Sequence, residues 1–99
     1  GWLKAQTTNT NLGTETLGSI SSGIENTAIG YQALKLNSTG RGNTALGFTP
    51  SFSLTTGSYN VAMGYQPLFN NISGNYNIAL GYLSLFSNTA GSNIAIGRQ

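Results

Sequence analysis

The pentapeptide Asn26-Thr27-Ala28-Ile29-Gly30 decides the fold of this chain because it recurs along the sequence. Close copies stand at 43–47 (NTALG), 60–64 (NVAMG), 77–81 (NIALG) and 93–97 (NIAIG), and a degenerate copy, NTNLG, stands at 9–13. The starting positions are evenly spaced, except that the last step, from 77 to 93, is one residue shorter than the others. A fixed period of this kind is typical of a repeat array. We therefore expect tandem repeats over 9–99 and an N-terminal flank or cap over 1–8.

Alignment on the pentapeptide gives columns that each hold one residue type. The first column is asparagine: Asn26, Asn43, Asn60, Asn77 and Asn93. The third is alanine: Ala28, Ala45, Ala62 and Ala79. The fourth is a large apolar residue: Ile29, Leu46, Met63 and Leu80. The fifth is glycine: Gly30, Gly47, Gly64 and Gly81. The next position is aromatic: Tyr31, Phe48, Tyr65 and Tyr82. Beyond it lie a leucine column (17, 34, 68 and 85, broken by Ser51), a phenylalanine column (52, 69 and 86) and a second glycine column (23, 40, 57, 74 and 91).

The alternation within the pentapeptide predicts a β-strand. Thr27, Ile29 and Tyr31 share one face and Asn26, Ala28 and Gly30 the other, which is the period of two that a strand requires. A helix is disfavoured because the glycine, asparagine and threonine residues of each repeat would destabilise it. Pro50 and Pro67 share one column and fit a bend or the start of a second short strand. The sequence thus predicts an all-β fold, a parallel β-solenoid or β-roll of about six 17-residue coils.

Stacked coils turn each column into a ladder. Asparagines in register can hydrogen-bond from coil to coil, which explains their column without a ligand. The alanine and glycine positions let another backbone approach closely, either the opposite wall of the same coil or another chain. The aromatic column Tyr31, Phe48, Tyr65 and Tyr82 is a candidate surface for binding partners or sugars if it points outward. Because it shares the face of Ile29, the alternation favours packing in the core or between chains.

Composition argues against several functions. Only 6% of the residues are charged, and the net charge of +2 comes from scattered side chains, unlike the clustered basic residues of nucleic-acid-binding proteins. No apolar run is long enough for a membrane-spanning helix. The chain has no His, Cys or Asp, so it offers no catalytic triad and no imidazole or thiolate metal site. A glycosidase needs two carboxylates at a set separation, whereas Glu15 and Glu25 lie in different columns of the repeat. We expect no enzyme activity, no cofactor and no metal.

Two sequons, Asn37-Ser38-Thr39 and Asn71-Ile72-Ser73, match the N-glycosylation pattern. Such matches arise readily by chance in turns rich in Asn, Ser and Thr, so surface turns without modification are the simpler interpretation. We also expect the chain to be a piece of a longer protein.

The pentapeptide resembles repeats of two groups of proteins. Its copies are similar to the Ser-Val-Ala-Ile-Gly repeats in the heads of trimeric autotransporter adhesins. The longer phrase over 26–34 (NTAIGYQAL), followed by NSTG at 37–40, is similar to repeats of tail-fibre-like proteins. The resemblance covers 9–99 and implies a left-handed parallel β-roll that associates as a trimer. This repeat is longer than the adhesin repeat, so we expect a coil of different outline.

Two functions remain as hypotheses. The first is a structural and adhesive segment of an extracellular fibre, a bacterial surface adhesin or a phage tail fibre, whose partners are further copies of itself as a homotrimer and a host-surface glycan or protein. The second is an ice-binding solenoid, in which a flat ladder of threonines orders water. The column Thr10, Thr27 and Thr44 continues as Val61, Ile78 and Ile94, which argues against a regular ice-binding face.

Overall fold

The computed structural model describes residues 8–98 and contains one parallel β-sheet. Its strands are β1 (Thr10–Leu12), β2 (Thr27–Tyr31), β3 (Thr44–Phe48), β4 (Val61–Tyr65), β5 (Ile78–Leu80) and β6 (Ile94–Ile96). They pair in chain order, and no helix occurs among the described residues. The chain therefore winds as a β-solenoid of about five turns. This confirms the predicted all-β parallel solenoid, with about one turn fewer than the six coils predicted. Apart from residue 8, the predicted flank or cap lies outside the described residues.

The register of the sheet follows the sequence repeat. Ala28 pairs with Ala45, which pairs with Ala62, and Ile29 pairs with Leu46 in the same way. The shortened last step is accommodated too, because Ala79 still pairs with Ala95. Each column of the alignment is therefore one ladder that runs along the solenoid axis.

Each coil contains one strand, and the predicted second strand is absent from the described residues. The positions on either side of the proline column have left-handed backbone: φ is 55° at Gln32 and 52° at Leu34. Such residues turn the chain and cannot belong to an extended strand. Hydrogen bonds between coils nevertheless continue through this corner, since Leu34 donates its N–H to the carbonyl of Pro50. In these hydrogen bonds between coils the donor is the residue after the proline column. Proline is therefore tolerated in its column although it has no N–H.

The core is small and lies inside the coil. It contains the inward alanines of the strands and the leucines that directly follow the proline column. These residues are fully or almost fully buried: Leu17, Ala28, Leu34, Ala45, Ala62, Leu68 and Ala79. Leu54 adds a buried side chain from the opposite wall and packs in the same cluster as Leu34. The coil is so narrow that alanine suffices on the strand side.

The shortened last step removes one residue from the turn that follows Asn88. Asn60 donates to the carbonyl of Gly74, 14 residues on, whereas Asn77 donates to that of Ala90, 13 residues on. Ala90 therefore takes the place of the second glycine in this coil, and Gly91 lies against the backbone of Asn75. This corrects the alignment of Gly91 with the second glycine column.

Candidate functional site

The pentapeptide points its small and polar residues inward and its large apolar residues outward. Asn26 and Ala28 have no exposed surface, whereas Tyr31 is 42% exposed. The column of Ile29, Leu46, Met63 and Leu80 also lies on the outer face of the sheet, and Leu46 is 43% exposed. The interpretation of the aromatic column as intrachain core is wrong. On the strand side of the narrow coil the interior is occupied by alanine and asparagine, which leaves no room there for aromatic side chains.

The asparagine column forms a hydrogen-bonded ladder inside the coil. The Nδ2 of Asn43 donates to Oδ1 of Asn26 at 3.1 Å and to the carbonyl of Gly57 at 2.9 Å. Its Oδ1 accepts the backbone N–H and the side-chain N–H of Asn60, at 2.9 and 3.0 Å. All four hydrogen bonds that an amide side chain commonly makes are present. The bond to Gly57 crosses the interior, so the approaching backbone at this small face is the opposite wall of the same coil.

The first glycine column is required by space and by backbone angle. Gly30, Gly47, Gly64 and Gly81 have φ between 124° and 129°, a region that side chains rarely allow. A Cβ at Gly47 would also collide with the carbonyl oxygen of Gly64. These positions hold successive coils close together at the end of the strand.

The outward aromatic column stacks ring on ring. The centroids of Tyr31 and Phe48, of Phe48 and Tyr65, and of Tyr65 and Tyr82 lie 5.1–5.2 Å apart with interplanar angles of 8–13°. We call these four residues, together with the outward columns of Thr27 and Ile29, the outer face. Because neighbouring rings cover each other's faces, the ladder presents ring edges to its surroundings. Ring edges suit packing against another apolar surface better than stacking on sugars.

Two further aromatic ladders lie outside the strands. Phe52, Phe69 and Phe86 stack at 5.1–5.2 Å, and each is half-buried. Tyr59 and Tyr76 stack at 5.4 Å and are both exposed. The phenylalanine column was predicted from the sequence, but the tyrosine pair was not. Its signal was available, because the two tyrosines are also one repeat length apart.

A basic residue lies over the last ring at one end of each of two ladders. Arg98 occupies the next position of the outward aromatic column and its guanidinium lies 5.5 Å from the Tyr82 ring. Lys35 precedes the phenylalanine ladder and its ammonium lies 5.8 Å from the Phe52 ring. Cations above ring faces are attracted by the negative face of the π-system.

Each of the two glutamates has a basic partner of its own. Glu15 lies 3.3 Å from Lys35, and Glu25 lies 2.9 Å from Arg41. The hydrogen bond from Gln32, followed by the bond and charge of Lys35, lowers the pKa of Glu15. The hydrogen bond to Glu25, followed by the charge interaction with Tyr59, raises the pKa of Arg41. All four charged side chains are at least partly exposed, as expected for surface ion pairs of small energetic weight.

Both sequon asparagines are buried in the folded chain. Asn37 and Asn71 have no exposed surface, so a folded repeat offers neither amide for glycosylation. Asn71 bonds to the N–H of Gly74 and the carbonyl of Ala90. The amide of Asn37 has no hydrogen-bond partner among the described residues.

Over residues 8–98 the structure contains no pocket and no cluster of three potential metal ligands. None of these residues belongs to a helix of the length and apolarity that crossing a membrane requires. The candidate site is therefore a surface, the outer face of the sheet. Comparison of the chain with protein-family models, with curated proteins and with solved structures found no match.

Proposed function

We propose that this chain is a non-catalytic structural segment of an extracellular fibre, which associates with copies of itself through the outer face. The observation that carries the proposal is the apolar, exposed outer surface of a parallel sheet. Leu46, Phe48 and Met63 are 37–43% exposed side by side, on strands that pair in register. Parallel sheets are normally covered on both faces, and large exposed apolar patches mark interaction sites.

The shape of this surface favours a second copy as its partner. Its ladders run straight along the axis for several coils, and each ladder repeats one kind of residue at every coil. A second copy presents ladders of the same spacing, so contacts made at one coil recur at the next. Strands β2 to β5 carry no charged side chain on the outer face, which also suits self-association.

A homotrimer is the stoichiometry that the resemblance to adhesin heads and tail-fibre repeats suggests. Light scattering on the purified chain tests it: we expect three times the chain mass of 10.3 kDa. A monomeric mass at micromolar concentration contradicts self-association. A host-surface glycan or protein would be the further partner of such a fibre, and a glycan array tests for it.

Ice binding is the alternative function. It is favoured by one observation: Thr10, Thr27 and Thr44 stand in register on the outer face of β1, β2 and β3. The column becomes Val61 and Ile78 in the following strands, which leaves a threonine ladder of three rungs. Thermal hysteresis measured on the soluble chain separates the two functions, since a clear positive value contradicts a purely structural role.

A further inference from the structure

The Tyr59–Tyr76 pair differs from the other aromatic ladders because no basic residue among residues 8–98 covers either end of its stack. Tyr76 is 61% exposed, the largest exposed fraction of any aromatic side chain among residues 8–98. In the other two ladders, Arg98 covers Tyr82 and Lys35 covers Phe52. Within the described part of the chain, no cation or ring lies over the second face of Tyr76.

The open face points along the solenoid axis. The rings of Tyr59 and Tyr76 are nearly parallel, at 12°, so one face of Tyr76 lies against Tyr59 and the other points to the next coil. At the same corner of that coil stands Ser92, whose φ of 62° matches the 61° of both tyrosines. Its N–H bonds to the carbonyl of Asn75 at 2.8 Å, which fixes its position in the ladder. A serine side chain is too small to cover the ring.

The shortened turn enlarges the opening. Gly91 lies against the backbone of Asn75, where a Cβ would come within 2.6 Å of the Asn75 carbonyl oxygen. The next coil thus adds no side chain above Asn75 and only a hydroxymethyl group above Tyr76. The result is an open step, one coil high, with the Tyr76 ring as its floor. We call it the Tyr76 step.

The polar groups at the Tyr76 step are neutral. Ser92 offers a hydroxyl that can donate and accept. The Oδ1 of Asn75 accepts the N–H of Ser58 at 2.7 Å, so this side chain is directed to the preceding coil and not into the step. The ion pair between Arg41 and Glu25, at 2.9 Å, belongs to earlier coils.

We propose that the Tyr76 step binds a neutral pyranose, with the C–H face of the sugar on the ring of Tyr76 and a hydroxyl on Ser92. A tyrosine ring has a negative face that attracts polarised C–H groups, and a pyranose combines such a face with a rim of hydroxyls. A single exposed ring attracts a cation only weakly, and no carboxylate among the described residues stands at the step to add to that attraction. The observations therefore favour a neutral sugar over a cationic ligand.

The Tyr76 step lies at the corner before β5, outside the strands whose outer face is proposed to self-associate. The proposal therefore stands or falls independently of the oligomeric state.

Saturation-transfer NMR on the full chain tests the proposal with three probes used singly: methyl β-glucopyranoside, methyl β-galactopyranoside and methyl α-mannopyranoside. We expect saturation transfer to the ring C–H protons of at least one glycoside and loss of that transfer in Tyr76→Ala. Phe52→Ala is the matched control, because it lies outside the outer face and Lys35 already covers that end of its ladder, and it should retain the transfer.

Ser92→Tyr provides the variant that blocks the step without removing a contact. The same corner already holds tyrosine at 59 and 76 with the same backbone angle, so the chain should fold and extend the stack by one ring. We expect a native circular dichroism spectrum, an unchanged mass in solution and no transfer to the glycosides. The proposal is overturned if no glycoside responds, if Ser92→Tyr binds as the parent does, or if methylguanidinium alone gives a signal that Tyr76→Ala abolishes. A change of mass in solution would instead bear on the proposed function.

Discussion

Asn26 and Asn43 are joined by two hydrogen bonds that run between successive coils. The Oδ1 of Asn26 accepts the backbone N–H of Asn43 at 3.0 Å and its side-chain N–H at 3.1 Å. Both residues are buried, and the same pair of bonds recurs from Asn43 to Asn60 and from Asn60 to Asn77. Each asparagine thus fixes the coil above it and, through its Nδ2, the opposite wall of its own coil. A buried polar ladder replaces the large apolar core that such a narrow coil cannot hold.

Asn43→Ala should destabilise the chain strongly. The change removes the acceptor of the Asn60 backbone N–H and the donor to the Gly57 carbonyl, both inside the coil. We expect a loss of about 2–4 kcal/mol in the free energy of unfolding, because buried unsatisfied groups cost about 1–3 kcal/mol each and some relaxation follows. Urea denaturation followed by circular dichroism measures it. The control is Asn70→Ala, at an exposed position, which should change stability by less than about 0.5 kcal/mol.

Asn37→Leu should stabilise the chain. Asn37 is fully buried with both amide atoms unpartnered among the described residues, in a column whose neighbours are Ile20 and Leu54. Removing a buried unpaired amide should raise the free energy of unfolding by about 1–3 kcal/mol, reduced by any strain from the slightly larger side chain.

The matched variant for that test is Asn71→Leu in the same column. Its amide accepts the N–H of Gly74 at 2.6 Å and donates to Ala90 at 2.9 Å, so the same substitution should be destabilising. Equal effects of the two substitutions in urea denaturation would contradict the assignment of Asn37 as unpartnered.

The sequence predicted the position and register of each strand among residues 8–98, because a repeated pentapeptide stacks in register on its own copies. It did not predict which face points inward. Both faces of the pentapeptide contain apolar residues, and the larger ones, such as Ile29 and Tyr31, suggest a core. The structure reverses this because the width of the coil limits the inward face to residues such as Ala28.

The corner was also beyond prediction from the sequence. Leucine is uncommon in the left-handed region, yet Leu34 and Leu68 adopt it with φ of 52° and 53°. Their burial offsets the strain, and the ladder of hydrogen bonds between coils fixes the turn. Without that long-range context, the proline column looks like the start of a strand. The open face of Tyr76 was hidden for a similar reason, since it depends on where the missing residue of the shortened last step falls.

Gly47→Ala should prevent stable stacking at β3 and β4. The residue has φ of 129°, and a Cβ would collide with the carbonyl of Gly64. Backbone strain alone costs about 1–3 kcal/mol, and the collision adds to it. Thermal unfolding measures the effect. Gly18→Ala is the control, because a Cβ there meets nothing closer than 3.6 Å, and its midpoint should stay within a few degrees of the parent's.

The carboxyl of Glu15 should titrate at lower pH than an ordinary glutamate. The hydrogen bond from Gln32 and then the interaction with Lys35 favour the ionised form and lower its pKa. Because the folded pKa lies below the unfolded one, this small contribution to stability is complete above the unfolded pKa and is lost as pH falls through the folded pKa. Carbon-detected NMR titration measures the pKa. Gln32→Ala should raise it towards the ordinary value, and an unchanged pKa in that variant contradicts the stated cause.

Met63→Glu should abolish self-association while leaving the coil folded. The side chain lies on the outer face and is 37% exposed, so a carboxylate is tolerated in the single chain. In an assembly that buries this face, the same carboxylate would lose its water without a basic partner on the neighbouring strands, which costs several kcal/mol per copy. Light scattering should then give 10.3 kDa where the parent gives a multiple of it, with an unchanged circular dichroism spectrum. Ile72→Glu is the matched control, since Ile72 is 58% exposed in a turn away from the strands and should leave the mass of the assembly unchanged. If Ile72→Glu dissociates the assembly and Met63→Glu does not, the interface lies on the turns and the outer face has another role.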